Sequence, residues 1–413
     1  PDFGVDLALG DRFDSGKYQW GYLASLSYDN EWQVSEQYEG QDFRINTDES
    51  WSLVRGFDQV DTTEHSVKFS GMLNLGLEYD RNHRFDYSLI ALRDTADKIK
   101  NKLGNTNNVL LSDGLRVRDT EVTYEEREMI ANQFRGTHNF PKLWNIGLDW
   151  KYSDARSSRY APGNISTRYI LSDSDENGQF DLVNESSLRK ATTAARYSFQ
   201  DLEDNVENYG FNISLPLMFD RSELEIKTGG DFIEKSRNAF ARRIDVNTLA
   251  FKDIDLTGHQ LNNILTDDVI LNHPLNGNET IIRDTSVMGD DYLSAQLIDA
   301  YYLEVDWFID NTWRISGGFR WEDYRQVVAP LDPATGQFDL PSEPTAADLE
   351  KLTFQEDEWY SALALTYVMS DEVQFRLSYG ETTVRPDIRE VAPSTYLDPL
   401  TGYPIRGTAG DLK

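Results

Sequence analysis

The sequence predicts an all-β fold, a transmembrane antiparallel up-and-down β-barrel, with about twelve strands visible in its 413 residues. Three observations predict it. Apolar residues recur with a period of two, not 3.6. The connections alternate between short turns and long acidic loops. The face opposite the apolar one is polar and charged, so it must meet water or a polar filling rather than a packed core.

The alternation runs along the whole chain. Val67, Phe69, Gly71, Leu73, Leu75, Leu77 and Tyr79 alternate with Lys68, Ser70, Met72, Asn74, Gly76 and Glu78. Trp144 to Tyr152, Tyr209 to Phe219, Tyr301 to Ile309, Trp313 to Trp321 and Val373 to Tyr379 repeat the pattern. Successive strand residues point to opposite faces, so each segment presents one greasy face and one wet face. On a soluble monomer that greasy face would be a very large exposed patch. Facing lipid, with a polar lumen inside, both faces are satisfied, and closure pairs every backbone N–H and C=O as a bilayer demands.

Short polar turns are expected at Asp80–His83, Asp220–Glu223, Asp310–Thr312 and Ser370–Glu372. The long acidic connections are expected at Ser35–Thr63, Asp245–Asp290 and Val328–Glu358. Outer-membrane barrels have this asymmetry, with short periplasmic turns and long extracellular loops. The strands then fall near 3–10, 17–29, 64–80, 83–95, 119–136, 143–157, 190–218, 223–243, 289–309, 312–327, 355–370 and 372–384. Glu125, Glu126, Arg127 and Glu128 interrupt the fifth. Tyr79 and Phe85, Trp307 and Trp313, and Tyr367 and Phe375 flank three of the short turns, as an interfacial aromatic girdle does. No linker or composition break divides the chain, so residues 1–413 are expected to be one partial barrel domain.

Bulk composition narrows the function classes. A formal net charge of −31 argues against nucleic acid as a partner, because phosphate binding needs clustered Lys and Arg. Aromatic residues make up 12% of the chain, which opposes disorder as the reading of that acidity. There is no cysteine, hence no disulfide scaffold and no thiol chemistry. No run of about 18 apolar residues provides a transmembrane helix. The chain opens at Pro1-Asp2-Phe3 without a signal peptide and ends at Leu412-Lys413 rather than on an aromatic residue. The expectation is a barrel cut at both ends.

Residues 379–413 read YGETTVRPDIREVAPSTYLDPLTGYPIRGTAGDLK. This stretch resembles a segment late in the barrel of TonB-dependent receptors, where a strand is followed by Arg-Pro-x-Phe-Arg-Glu-Leu-x-Pro. Arg385, Pro386, Asp387, Arg389, Glu390 and Pro393 stand at matching places, and Gly407 and Leu412 match the later part. Ile388 replaces the aromatic, Val391 replaces Leu, and Thr408-Ala409 replaces an Asn-Pro pair. The resemblance implies a barrel of about 22 strands filled by an N-terminal plug, with that plug and the last strands absent from this chain. It also implies import of a scarce small-molecule nutrient, powered by the TonB complex of the inner membrane, in the outer membrane of a Gram-negative cell with the loops extracellular. Pro386 is expected to stop strand pairing, since it has no N–H and restricts the residue before it. Arg389 and Glu390 are candidates for an ion pair that fixes the loop over the barrel mouth, against a merely solvated pair.

One further motif carries chemistry. Asp173-Ser174-Asp175-Glu176-Asn177-Gly178-Gln179-Phe180-Asp181 follows the spacing of a calcium loop. Asp173, Asp175 and Asn177 supply oxygens, Gln179 its carbonyl, and Asp181 the ninth position. Position twelve is Asn184 instead of a bidentate Glu, and Glu185 comes one residue late. The readings are a Ca²⁺ that stiffens a loop, or an acidic turn with no ion. The five histidines, His65, His83, His138, His259 and His273, form no local ligand pair. No nucleophile elbow, P-loop or dinucleotide pattern is present, so no enzyme is expected. Trp51, Phe57, Tyr160, Tyr169, Tyr396 and Tyr403 are candidates for contact with an oligosaccharide or a metal–siderophore. The competing readings are a passive porin or complete twelve-stranded translocator, and a secreted all-β binding protein.

Overall fold

Alternating side chains need a backbone that turns successive residues to opposite faces, and the computed structural model supplies it as twelve long strands in one antiparallel sheet. The structure describes residues 2–45, 47–48, 51–106, 108–109, 113–173, 180–181, 184–287, 290–332, 335–338, 345, 348, 352–370, 372–391, 395–397 and 404–406. The long strands are β1 (Phe3–Ser15), β2 (Tyr18–Ile45), β3 (Trp51–Tyr79), β4 (His83–Asn105), β5 (Leu115–Phe140), β6 (Ile146–Ser172), β8 (Ala195–Phe219), β9 (Ser222–Val246), β11 (Asp291–Ile309), β12 (Trp313–Leu331), β13 (Thr353–Ser370) and β14 (Val373–Gly380). Each pairs with the next in that order. Short β7 (Ser186–Leu188) pairs with β6, and β10 (Ile282–Asp284) pairs with β9. A separate hairpin joins β15 (Thr395–Leu397) to β16 (Pro404–Arg406). The helices are α1 (Leu261–Ile264), α2 (Asp267–Asn272) and α3 (Ile388–Val391).

All twelve expected strands have a counterpart, and the short turns sit together at one end. Asp80 and Arg81, and Asp310 and Asn311, adopt positive φ of 54°, 58°, 50° and 54°. That is the backbone of the two-residue turns whose twist matches paired strands, and Asp and Asn tolerate it. Adjacent turns bond to one another: Asp80 N donates to Lys17 O at 2.8 Å, Asn139 N to Asn82 O at 2.7 Å, and Asp310 N to Arg221 O at 2.7 Å.

The register places the apolar belt. Trp20, Leu77 and Phe85 lie side by side, then Gly136, Trp150, Phe211, Gly230, Tyr301, Trp321 and Trp359 on successive strands. This row starts beside the turn at Trp20 and lies deep within β12 at Trp321. Such a stagger is the strand tilt that barrel closure requires. The belt ends sharply. Beyond Tyr152, Tyr209, Phe232, Tyr301 and Trp321, the next position on the same face is Asp154, Glu207, Glu234, Asp299 and Asp323. Tyr209–Phe219 and Tyr301–Ile309 therefore bound stretches of the length, about 9–11 residues, that carries a tilted strand across a bilayer. Rings mark both edges: Trp313 and Tyr367 are 4.5 Å apart at the turn end, and Tyr209 and Phe232 are 4.9 Å apart at the far edge.

No second sheet covers this face among the described residues. The accessible surface is 26325 Å², against about 16,000 Å² for a compact monomer of this mass. The buried residues gather instead near the long-loop end. Tyr169, Leu188, Ala194, Leu256 and Ile264 form one cluster, and Ala250, Phe251 and Ile281 another.

One expectation needs correction. The connection expected over 35–63 is mostly strand, since β2 runs to Ile45 and β3 begins at Trp51. Above the belt neither face meets lipid, so the apolar alternation fades while the pairing continues, interrupted by register shifts between Gln37 and Phe43. The fifth strand, expected near 119–136, runs through the charged interruption at 125–128 as β5. Its pairing with β6 skips between Val122 and Glu126, and arginines on neighbouring strands take the charges. Arg159 bonds Glu125 at 2.9 Å and Arg93 bonds Glu126 at 2.8 Å. The connection expected at 245–290 holds but is a folded cap rather than open chain. Asn247 caps a 3₁₀ turn through Leu249 N, Thr266 caps α2 through Val269 N, and β10 returns to pair with β9.

Candidate functional site

The polar face carries the chemistry. On β4 the alternation sets Lys98, Lys100 and Lys102 in a line on that face, an unusual basic ladder in so acidic a chain. Glu64 meets Lys98 at 3.1 Å, and Glu39 meets Lys100 at 2.7 Å and Lys102 at 3.3 Å. A recess of about 510 Å³ opens here, lined by Gln33, Ser35, Gln37, Thr62, Glu64, Lys98, Lys100, Glu121 and Thr123. Every lining group is a donor or acceptor, and the lysines are matched by carboxylates. The Lys-x-Lys-x-Lys spacing is visible in the sequence; the carboxylates opposite come from other strands and leave no local signal.

The same face continues across β8, β9, β11 and β12. Arg237 reaches Asp204 through two bonds of 2.6 and 2.7 Å, both side chains largely buried. Tyr302 donates to Asn212 Oδ1 at 2.7 Å. Its ring occupies the space that Gly229 leaves, since a Cβ there would lie 2.7 Å from the ring. At the long-loop end Asp245 is 2% exposed. It accepts from Arg196 at 2.7 and 2.9 Å and from Thr193 at 2.8 Å. Burial acts to raise its carboxyl, but these hydrogen bonds outweigh burial and hold it below its ordinary value. Arg243 holds Asp290 at 2.6 Å, closing the base of the 247–290 cap.

The Arg-Pro motif is placed in part. Arg385 lies against the polar face of β12 and β13 and is mostly buried. Its Nη1 donates to Glu322 Oε2 at 2.5 Å, its Nη2 donates to Tyr360 OH at 3.1 Å, and its guanidinium stands 4.5 Å from the Tyr324 ring centroid. Strand pairing stops at Gly380, before Pro386. Glu390 turns inward on its own helix, where its carboxylate accepts from Asp387 N at 3.0 Å, a cap for α3. The side chain of Arg389 and all of Pro393 lie outside the described residues. Glu322, Tyr324 and Tyr360 were not readable as partners, because strand register alone brings them to Arg385.

Of the calcium-loop candidates, Asp175, Asn177 and Gln179 lie outside the described residues. Asp173 N donates to Gly114 O at 3.0 Å. The Asp181 carboxylate accepts from Asn184 N at 3.0 Å and Asn184 Nδ2 at 2.7 Å, so both its oxygens are engaged within the turn. Register brings two histidines together that sequence spacing kept apart. His83 and His138 are paired across β4 and β5 with Nδ1 atoms 3.3 Å apart, and Trp150 Nε1 donates to His138 Nε2 at 3.0 Å. Among the candidate loop aromatics, Tyr169 is buried in the cap core. Phe57 lies 5.5 Å from Lys102 Nζ, and Tyr160 is exposed. The side chains of Trp51, Tyr396 and Tyr403 lie outside the described residues.

Belt, tilt, loop asymmetry and a polar inner wall together describe a section of outer-membrane barrel. A comparison with curated proteins finds no match. A comparison with protein families matches residues 171–413, more than half the chain, to the family described as TonB dependent receptor-like, beta-barrel. Members of that family are transporters rather than enzymes, and they work in the outer membrane in linkage with TonB. The strands before residue 171 continue the same meander without a break in pairing. The chain belongs to the TonB-dependent receptor β-barrel family.

Proposed function

We propose that this barrel imports a neutral, hydroxyl-rich nutrient of the oligosaccharide class, and that the recess on the inner wall of β2–β5 is where the substrate rests. The observation that carries this is the lining of that recess. It offers amides, hydroxyls and charge-matched Lys–Glu pairs, with no apolar residue and little net field. Such a wall exchanges hydrogen bonds with a polyol at little desolvation penalty, because each charge keeps its partner. A bulky metal chelate with a net charge finds no unmatched countercharge there. A volume of about 510 Å³ lies in the usual range for small-ligand sites.

In this reading the long-loop end faces the outside, the belt contacts outer-membrane lipid, and a plug domain of the same protein fills the lumen on the short-turn side. The polar wall there, with Asp149, Lys151, Asp231 and Arg320, suits a hydrated domain interface. TonB acts on that plug from the inner membrane. We further propose that the Asp173–Asp181 run takes Ca²⁺ and stiffens its loop, with Asp173, Asp175, Asn177 and Gln179 as oxygen donors. Asp181 would first have to release Asn184. The substrate reading is tested by calorimetric titration of the full-length receptor with a panel of neutral oligosaccharides and of ferric chelates. Oligosaccharide binding that weakens at least about tenfold in Thr62→Val and Lys100→Met supports it. Tight chelate binding that both substitutions leave unchanged overturns it.

A further inference from the structure

We propose that residues Glu381 to Val391 form a latch: a strap laid across the inner wall, held by an ionic catch and an apolar catch, which detaches as one unit. The strap leaves β14 at Gly380. Glu381 fastens its root, accepting from Ser361 N at 2.9 Å and Ser361 Oγ at 2.6 Å. Arg385 then engages Glu322 and Tyr360 on β12 and β13. Three residues on, Ile388 is 1% exposed, and with Val391 it packs among Ala239, Tyr292 and Val328, which belong to β9, β11 and β12. Apart from Ser361 at the root, which takes the other face of β13, these wall residues share the polar face by register, so beyond its root the strap crosses the lumen side of several strands.

Among the described residues no backbone hydrogen bond joins 382–387 to the wall, and Val384 is 96% exposed. A segment without backbone hydrogen bonds to its support opens more readily than the paired strands beneath it. The ionic catch is also built to release without stranding a charge. Glu322 accepts from Arg320 at 2.6 Å as well as from Arg385. When the strap lifts, Glu322 keeps one arginine while Arg385 enters water. The large penalty for an abandoned buried charge is thereby avoided. The closed catch is itself imperfect, since Arg385 Nε is buried without a hydrogen bond and stands 3.7 Å from the Glu356 carboxylate.

The chain has no cysteine, so an introduced thiol reports on the strap. In full-length receptor in outer-membrane vesicles, Ile388→Cys is labelled with a water-soluble maleimide and compared with Val384→Cys. We expect slow labelling at 388 and fast labelling at 384. Arg385→Ala should speed labelling at 388 by about tenfold or more. Arg385→Lys should remain close to Ala, because it keeps the charge and loses the planar fork. Arg320→Gln should have the opposite sign and slow labelling at 388, since release would now leave Glu322 alone. Heat-modifiable gel mobility checks that each variant holds a folded barrel. Equal labelling at 388 and 384 in the parent, no change with Arg385→Ala, or faster labelling with Arg320→Gln would each overturn the latch.

Discussion

Leu303 offers the sharpest test of which face meets lipid. It lies near the middle of the belt on β11, paired with Phe319 and 51% exposed. Ile309 sits on the same face at the turn edge, and Ala362 sits on the opposite face, on β13. An arginine at the midplane of a barrel's lipid face costs about 2–4 kcal/mol, falling to about 0–1 near the interface. Leu303→Arg should therefore lower the folding equilibrium constant about 30- to 700-fold, at about 1.4 kcal/mol per factor of ten. Ile309→Arg should cost no more than about 1 kcal/mol, and Ala362→Arg should stay within about 0.5 kcal/mol. The assay is urea unfolding of the full-length receptor refolded in phospholipid vesicles, followed by tryptophan emission. If Leu303→Arg and Ala362→Arg cost the same, or if Ile309→Arg costs as much as Leu303→Arg, then no depth-dependent apolar medium lies against this face.

Three further outcomes follow from the wall and the cap. Asp204→Ala leaves Arg237 buried without its partner and should cost about 3 kcal/mol in denaturant titration, whereas the double variant Asp204→Leu/Arg237→Met should recover most of it. The Asp245 carboxyl is held below its ordinary 3.8 in the folded state, so its contribution is present above that value and lost as pH falls through the lower folded one. Hydrogen-exchange protection factors in the 247–290 cap, corrected for the intrinsic pH dependence of amide exchange, should thus be unchanged between pH 7 and 5 and should fall in acid below about 3.8; Asp245→Asn should remove the dependence, and an equal acid response in that variant would exclude Asp245 as its source. Millimolar Ca²⁺ should protect the 173–185 connection from proteolysis, and Asp175→Asn should abolish the protection; protection that persists in that variant would point away from this loop.

How far the sequence reaches depends on the range of the physics. The strand positions and the short turns at Asp80 and Asp310 were legible because each follows from neighbours in the chain: alternation for the strands, and Asp and Asn with positive φ for the turns. The lipid belt was legible for the same reason, since a bilayer acts on every second residue alike. Above the belt that constraint lapses. Residues 35–45 and 51–63 then read as loop although they pair as strand, because water accepts any side chain on either face.

What only the tertiary structure decided is register. The sequence marks Arg385 and Pro386 but not Glu322, Tyr324 and Tyr360, which lie on two other strands and meet the guanidinium only once pairing is set. The same holds for His83 with His138 and for Glu39 with Lys100 and Lys102. The physical reason is that alternation has a period of two residues, so it tells which face a side chain takes and says nothing of which partner it finds there. That choice is made by the tilt of the sheet as a whole, a property no single strand contains.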